Sequence, residues 1–123
     1  MGDLNDGPRD DSLKKILKVN QKNTDMVDNE LFNPMERLSR KGVGSLAYRD
    51  KWNLFDQIFF TKNLLNSENG YRFWKGGVFN PKYLVTKKGQ YKGYPFRTYA
   101  GGSYMGGYSD HFPVSIYLIK EID

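Results

Sequence analysis

The chain has 123 residues, a formal net charge of +5 at pH 7 and a pI near 9.3, so it has room for one hydrophobic core and is expected to form a single domain over residues 1–123. It contains no cysteine, which excludes disulfides, thiolate zinc sites and a cysteine nucleophile and leaves oxygen ligands or the one histidine, His111, for a metal ion. No apolar run reaches the length of about 20 residues that a membrane-spanning helix needs, and the positive charge suits an anionic partner, although lysine is also an ordinary solubilising residue.

The N-terminal third is predicted to contain two short helices separated by a loop. Apolar residues recur at intervals of three and four after Asp11-Ser12, which predicts an amphipathic helix with an N-cap over residues 11–20. Residues 20–29 are polar and are predicted to form a loop. Residues 31–40 are predicted to form one or two helical turns, with Pro34 in the first turn.

The remainder of the chain is predicted to be mainly strand and loop. Residues 44–48 and 54–61 are predicted to be strands joined around Arg49-Asp50-Lys51, and the second is apolar on both faces, as in the middle of a layered structure. Residues 66–107 are rich in glycine, tyrosine and lysine, which predicts loops and short elements. Residues 114–119 alternate and are predicted to form a buried strand.

Two motifs place polar side chains next to these elements. The first, Gly-Asp-Leu-Asn-Asp-Gly-Pro at residues 2–8, carries Asp3 and Asn5. Taken alone it is more typical of an Asx-turn and helix cap than of a chemical site. The second, Ser-Asp-His-Phe-Pro-Val at residues 109–114, places His111 at the mouth of the last strand. A single histidine is more often structural than catalytic, but this one lies beside an acid, between a glycine-rich loop and an apolar strand.

Asp56 is the third polar feature, because it lies inside the apolar segment 52–60. A carboxylate buried among apolar residues needs a partner, since leaving it alone would cost several kcal/mol. Successive side chains of an extended segment point to opposite faces, so Asp110 is poorly placed to orient its own neighbour His111. We therefore predict that Asp56 pairs with His111 and that Asp110 faces a metal ion or a phosphate.

The three motifs, in this order, resemble the C-terminal half of the endonuclease/exonuclease/phosphatase (deoxyribonuclease-I-like) superfamily. The resemblance covers residues 2–119, and residues 94–99 and 106–108 are similar to bacterial members. It implies an α/β (α+β) fold that is half of a four-layer αββα sandwich, with one mostly antiparallel sheet and helices on one face.

The resemblance also implies roles for individual residues in phosphoester hydrolysis by water. Asp3 positions or deprotonates the attacking water, and Asn5 orients that water and the scissile phosphate. Asp56 orients His111, which binds the phosphoryl oxygen or acts as acid or base. Asp110, together with Asp3, belongs to the metal site, where Mg²⁺ is expected and Mn²⁺ is the alternative.

Substrate recognition is less specified by the sequence. Arg97 and Ser109 are candidate substrate contacts; nucleic acid is the expected substrate, with phospholipid and inositol phosphate left open. An aromatic series in the same region is more typical of packing than of stacking on a ligand: Tyr91, Tyr94, Phe96, Tyr99, Tyr104 and Tyr108. The alternative function is a basic, aromatic-rich module that binds single-stranded nucleic acid without cleaving it, and that would depend on Arg97 or Lys92 and not on His111.

The family's first half supplies a metal-binding glutamate and one of the two central sheets, and nothing in residues 1–123 matches them. We therefore expect that first half to be absent, and the apolar inner face of the sheet to be exposed. The chain is accordingly expected to be one piece of a longer protein or to associate with itself through this face, and to hydrolyse phosphodiesters weakly or not at all alone. The sequence leaves the cellular compartment open.

Overall fold

A computed structural model of the chain describes residues 1–20, 26–28, 30–66 and 70–122. The strands within these residues are β1 (Gly2–Asp3), β2 (Leu31–Phe32), β3 (Leu46–Tyr48), β4 (Lys51–Asn53), β5 (Asp56–Gln57), β6 (Phe60–Thr61), β7 (Arg72–Val78), β8 (Tyr99–Ala100), β9 (Ser103–Tyr104) and β10 (Val114–Ile119). The helical segments are a π-helical turn (Ser12–Ile16), the α-helix α1 (Met35–Arg40) and two 3₁₀ turns (Lys62–Leu64 and Lys82–Leu84). None of the helices in the described ranges is long and apolar enough to cross a membrane.

The strands pair antiparallel, which confirms the predicted α+β class. They form five two-stranded ladders: β1 with β5, β2 with β6, β3 with β4, β7 with β10 and β8 with β9. The single, mostly antiparallel sheet that the resemblance implied is therefore divided into separate pairs in the described part of the chain. Most strands are two or three residues long, and among the described residues even the longer β7 and β10 pair on one edge only.

The ladder of β7 and β10 is the longest, and it holds one predicted and one unpredicted strand. The predicted strand 114–119 is confirmed as β10. β7, which has seven residues, lies in the segment predicted to contain only loops and short elements. Gly76 and Gly77, its fifth and sixth residues, interrupt the alternation of side chains by which a strand is predicted. At Gly76 an added Cβ would lie 3.2 Å from Met35 Cε, so the close approach of α1 to β7 favours a residue without a side chain.

The hydrophobic core lies between α1 and one face of the β7–β10 ladder. Met35, Leu54 and Ile58 are buried at its centre. The half-buried residues packed against them are Leu38, Val78, Val114 and Ile116. Burying one such side chain contributes about 1.5–3 kcal/mol, so this small cluster fixes the helix on the ladder.

The opposite face of the same ladder is exposed and aromatic. The register shifts between Tyr117 and Leu118, which leaves Trp74 as the extra residue of a β-bulge beside Lys75. Lys75 Nζ lies 4.3 Å from the Trp74 ring centre and 4.8 Å from that of Tyr117. This face is therefore cationic as well as aromatic, and self-association through it remains a prediction.

The predicted helix over residues 11–20 is much shorter than expected. Only Ser12–Ile16 is helical, as a π-helical turn, and Asp11 makes no side-chain cap hydrogen bond. Leu13 is buried, whereas Ile16 is 77% and Leu17 50% exposed. Short helices depend on the packing of an apolar face, and one buried residue gives this segment too little of it.

The segment 31–40 begins as strand and only then becomes helix. β2 occupies its first two residues, and α1 begins at Met35, directly after Pro34. The proline therefore lies ahead of the helix and not within its first turn. Of the predicted loop 20–29, residues 21–25 and 29 lie outside the described residues, and Asn20 forms a β-bridge with Phe32.

The predicted turn at Arg49-Asp50 is confirmed, but its second strand is β4 and not residues 54–61. Those residues are divided into β5 and β6, which pair with β1 and β2. Arg49 and Asp50 both have positive φ (49° and 62°), as in a type I′ hairpin turn. Tyr94 stabilises this strained turn, because its hydroxyl donates to the Asp50 carboxylate and accepts a hydrogen bond from the Asp50 N–H (2.8 Å).

A glycine close to this hairpin permits a close backbone approach. A Cβ added at Gly44 would lie 2.7 Å from the carbonyl oxygen of Asn53. We expect Gly44→Ala to lower the free energy of unfolding by about 1–3 kcal/mol, because backbone cannot move aside as a side-chain tip can. Gly77→Ala is the matched control, since the nearest atom to its added Cβ is 4.0 Å away. Urea unfolding of both variants measures the difference, and equal stabilities would contradict the prediction.

Candidate active site

His111 and Asp56 form a direct contact at the centre of the candidate site. His111 Nδ1 lies 2.7 Å from Asp56 Oδ2, and the two side chains are 21% and 18% exposed. The contact between these residues that the sequence predicts is therefore present. Because an ionised carboxylate only accepts hydrogen bonds, Nδ1 carries the proton. The lone pair of a neutral imidazole is then on Nε2, which is left for a ligand.

Ser45 connects this pair to the rest of the fold. Its hydroxyl donates to Asp56 Oδ2, the oxygen that also binds His111. Its carbonyl oxygen accepts a hydrogen bond from the Phe112 N–H (2.7 Å), so the residue after the histidine is held to the start of the β3–β4 hairpin. Phe112 is buried and its ring stacks on Trp52 (6.1 Å between centroids, 12° between planes). The segment that carries His111 is thus held at two points: His111 contacts Asp56, and Phe112 contacts Ser45 and Trp52.

The N-terminal motif lies beside the same carboxylate. β1 pairs with β5 so that Asp3 is directly opposite Asp56, and the Leu4 N–H donates to the Phe55 carbonyl (2.9 Å). Opposite residues of an antiparallel pair point to the same face, with Cβ atoms about 4.5–5.5 Å apart. Asn5 has φ of 53°, and its N–H donates to Asp3 Oδ1 (3.0 Å), which is an Asx-turn. The motif therefore forms the turn expected on structural grounds and also brings Asp3 next to Asp56.

Below this turn lies a buried polar network that the sequence did not predict. The Gln57 side chain is fully buried; its Nε2 donates to the Asp6 carbonyl (2.6 Å) and its Oε1 accepts from Asn33 Nδ2 (2.6 Å). Asn33 Oδ1 in turn accepts a hydrogen bond from the Met35 N–H (3.0 Å) at the start of α1. The one sequence signal was the position of Gln57 after Asp56 in an apolar segment, where a polar side chain needs a buried partner.

We expect Gln57→Leu to lower the free energy of unfolding by about 1–3 kcal/mol, because the buried Asn33 amide and the part-buried Asp6 carbonyl lose their partner. The N-terminal turn should also loosen, which amide hydrogen exchange at Asn5 would detect. Gln90→Leu is the control, since Gln90 is exposed. A Gln57 variant as stable and as protected as the wild type would show that this network contributes nothing.

A cavity of about 230 Å³ opens next to the imidazole. Its lining consists of Asp56, Leu84, Tyr108, Ser109, His111, Phe112 and Pro113. Ser109 also accepts a hydrogen bond from the His111 N–H at its Oγ (3.1 Å). The two residues predicted to contact substrate therefore line different cavities: Ser109 lines this one, and Arg97 lines a larger one.

The residues predicted to bind metal provide oxygen donors but not a complete site. Asp3 and Asp110 are exposed, and the Asp110 carboxylate makes no hydrogen bond or ion pair within the described residues. The same residues contain no group of three or more His, Cys, Asp or Glu side chains placed to hold a metal ion. Mg²⁺ commonly takes one or two carboxylates and keeps several waters, so two carboxylates fit a hard cation. Their role as ligands remains a prediction.

Comparison with known proteins identifies the family of the chain. Searches of the curated proteins and of the solved structures each found no match. The profile of the Endonuclease/Exonuclease/phosphatase family matches residues 1–120, which include all three motifs that carry the Asp3, Asp56 and His111 side chains. The chain therefore belongs to the endonuclease/exonuclease/phosphatase family.

Proposed function

We propose that this chain is a metal-dependent phosphoester hydrolase module of the phosphodiesterase or nuclease type, in which water attacks phosphorus. The observation that carries the proposal is the contact of His111 with Asp56, directly across a strand pair from Asp3. Three segments distant in the sequence meet there. The family of the chain is one of enzymes that act on phosphoesters, which supports this chemistry over others.

His111 is the residue proposed to contact the phosphoryl group. With Nδ1 bound to Asp56, a protonated Nε2 can donate a hydrogen bond to a phosphoryl oxygen or transfer its proton to that oxygen. The Asp56 carboxylate balances the positive charge of the protonated imidazole. A donor fixed in this way stabilises the negative charge that grows in the transition state without having to reorient.

Asp3 and Asn5 are proposed to act on the attacking water. The Asp3 carboxylate accepts its proton, and the Asn5 amide orients the water and the phosphate. Asp3 Oδ1 already accepts the Asn5 N–H, so the Asx-turn fixes the aspartate. This leaves Oδ2 for the water.

The proposed cofactor is Mg²⁺, with Mn²⁺ as the alternative, held by Asp110 and Asp3. When bound, such a cation supplies positive charge for the oxygens around phosphorus. The two carboxylates are exposed and can exchange water for an ion at little cost. Asp3 also lies opposite Asp56, and two like charges placed so close favour a cation beside them.

The proposed function is tested with bis(p-nitrophenyl) phosphate and the purified chain. Only weak hydrolysis above the buffer rate is expected with Mg²⁺ for the chain alone, and EDTA should abolish it. Asp3→Asn should lower the rate by about 100-fold or more, the range of a lost general base. Glu121→Gln is the control, because this exposed carboxylate pairs with Arg72 at one end of the β7–β10 ladder and outside the candidate site. Wild-type hydrolysis that is indifferent to EDTA and to Asp3→Asn would refute the proposal.

A binding module that does not cleave nucleic acid is the second candidate, favoured by the larger cavity around Arg97 and by the incomplete metal site. For such a module, His111→Ala changes nothing, whereas Arg97→Ala or Lys92→Ala weakens binding of single-stranded DNA. A loss of turnover with retained binding in His111→Ala favours the enzyme.

A further inference from the structure

A second cavity of about 480 Å³ lies on the other side of the backbone that borders the His111 cavity. Its lining includes Tyr48, Arg49, Asp50, Tyr91, Tyr94 and Arg97. Phe96, which also lines it, donates its N–H to the Leu84 carbonyl and accepts the Tyr108 N–H at its own carbonyl (2.7 Å each). Leu84 and Tyr108 line the His111 cavity, so one strip of hydrogen-bonded backbone separates the two spaces.

This second cavity is large enough for a small organic ligand, because ligand pockets usually measure about 300–1,000 Å³. Its lining carries two arginines and one aspartate, which leaves one net positive charge. Arg97 is half-buried, and its guanidinium makes no hydrogen bond or ion pair within the described residues. A half-buried cation without a protein acceptor suits a ligand with a single negative group, and not a polyphosphate that would need several converging cations.

Aromatic rings form the mouth of the cavity. Tyr91 is 54% exposed and lies 5.7 Å from the Tyr94 ring. Tyr94 in turn packs on Trp52 at 5.8 Å, the ring that stacks on Phe112 beside the histidine. The Asp50 carboxylate accepts the hydrogen bond of the Tyr94 hydroxyl and raises the pKa of that phenol. Tyr94 is thereby fixed, and it gives Tyr91 a rigid support.

The loop that carries Tyr91 is basic. Lys87, Lys88 and Lys92 are exposed around it and take part in no ion pair within the described residues. Basic grooves lined by exposed aromatic rings are the combination that binds single-stranded nucleic acid, because the cations follow the backbone and the rings stack on bases.

We propose that this cavity binds one base of a single-stranded nucleic acid, with the base stacked on Tyr91 and the adjoining phosphate on Arg97. The phosphoester next to this nucleotide then lies at the phosphoryl site proposed for His111. This inference rests on the proposed function, since it names the substrate class of the neighbouring site. The Asp50 carboxylate has a second oxygen available to accept a hydrogen bond from the N–H groups of the base.

The test is fluorescence anisotropy with a labelled oligothymidylate of about eight nucleotides, within the usual site size of such proteins. Tyr91→Ala is expected to raise the Kd by about 5- to 100-fold, the effect of losing one stacked base. Tyr117→Ala, which removes an exposed tyrosine from the β7–β10 face, should leave the Kd unchanged. Arg97→Gln should raise the Kd and reduce its salt dependence, in contrast to Arg72→Gln, whose guanidinium pairs with Glu121.

An abasic oligomer with the same number of phosphates separates stacking from charge. It should bind the wild type more weakly than the oligothymidylate does, and Tyr91→Ala should cause no further loss. Equal binding of the two oligomers, or a Tyr91→Ala variant that binds like the wild type, would overturn the inference. Cleavage of the abasic oligomer depends on His111 and not on Tyr91, so the proposed function is measured separately.

Discussion

Replacing His111 with alanine is expected to lower kcat/KM for phosphodiester hydrolysis by about 10²–10⁴-fold, the usual contribution of a positioned acid or base. The imidazole is 21% exposed at the edge of a cavity, and Asp56 keeps its hydrogen bond from Ser45 in the variant. The fold should therefore survive. The rate is measured with Mg²⁺ at saturating and limiting substrate.

Two controls distinguish this loss from unfolding. The circular dichroism spectrum should match that of the wild type. The affinity for the oligothymidylate should stay within a few-fold of the wild-type value, because the second cavity, where the base is proposed to stack, does not contain His111. A variant that keeps more than about a tenth of the wild-type rate would remove the histidine from the mechanism, since a positioned acid or base contributes at least about 10²-fold.

Asp56→Asn is the second change with a large expected effect, through the orientation and charge of the imidazole. The amide has nearly the shape of the carboxylate but no charge, so it can leave the imidazole in the wrong tautomer and cannot balance an imidazolium. The corresponding change behind the histidine of serine proteases costs about 10⁴ in kcat, which sets the upper limit here. We expect kcat to fall and KM to remain within a few-fold.

Asp56 is a positioning residue in this account, so a structural role has to be separated from it. Asp56→Glu restores the charge and should recover part of the rate, whereas a purely structural aspartate would not be replaced by a longer side chain. Ser45→Ala removes one hydrogen bond to Asp56 and leaves the other, and should cost less than Asp56→Asn. If Asp56→Asn raises KM and leaves kcat unchanged, the proposed orientation of His111 is wrong.

The sequence predicts the centre of the candidate site better than its surroundings. The Asp56–His111 contact follows from strand alternation together with the cost of an unpaired buried carboxylate. The last strand follows from its own alternation. β7 does not, because Gly76 and Gly77 interrupt its pattern, and the packing of Gly76 against α1 is not visible in the sequence.

Long-range hydrogen bonds account for most of what was missed. Gln57 binds a carbonyl 51 positions away and an amide 24 positions away, and no local pattern encodes either contact. Ser45 is small and fully buried at the start of a predicted strand, and no local pattern marks it as a partner of Asp56. The division of the expected sheet into two-stranded ladders likewise depends on tertiary packing, which propensity does not specify.

The two hydrogen bonds of Ser45, one to Asp56 and one from Phe112, connect the β3–β4 hairpin to the candidate site. A brief opening of residues 44–53 would release the Asp56 carboxylate and the Phe112 amide together, while the core between α1 and the β7–β10 ladder stays closed. Such sub-global opening requires less free energy than complete unfolding. On gentle heating, hydrolysis should therefore disappear before the core melts, and the amide proton of Phe112 should exchange with solvent faster than those of β10.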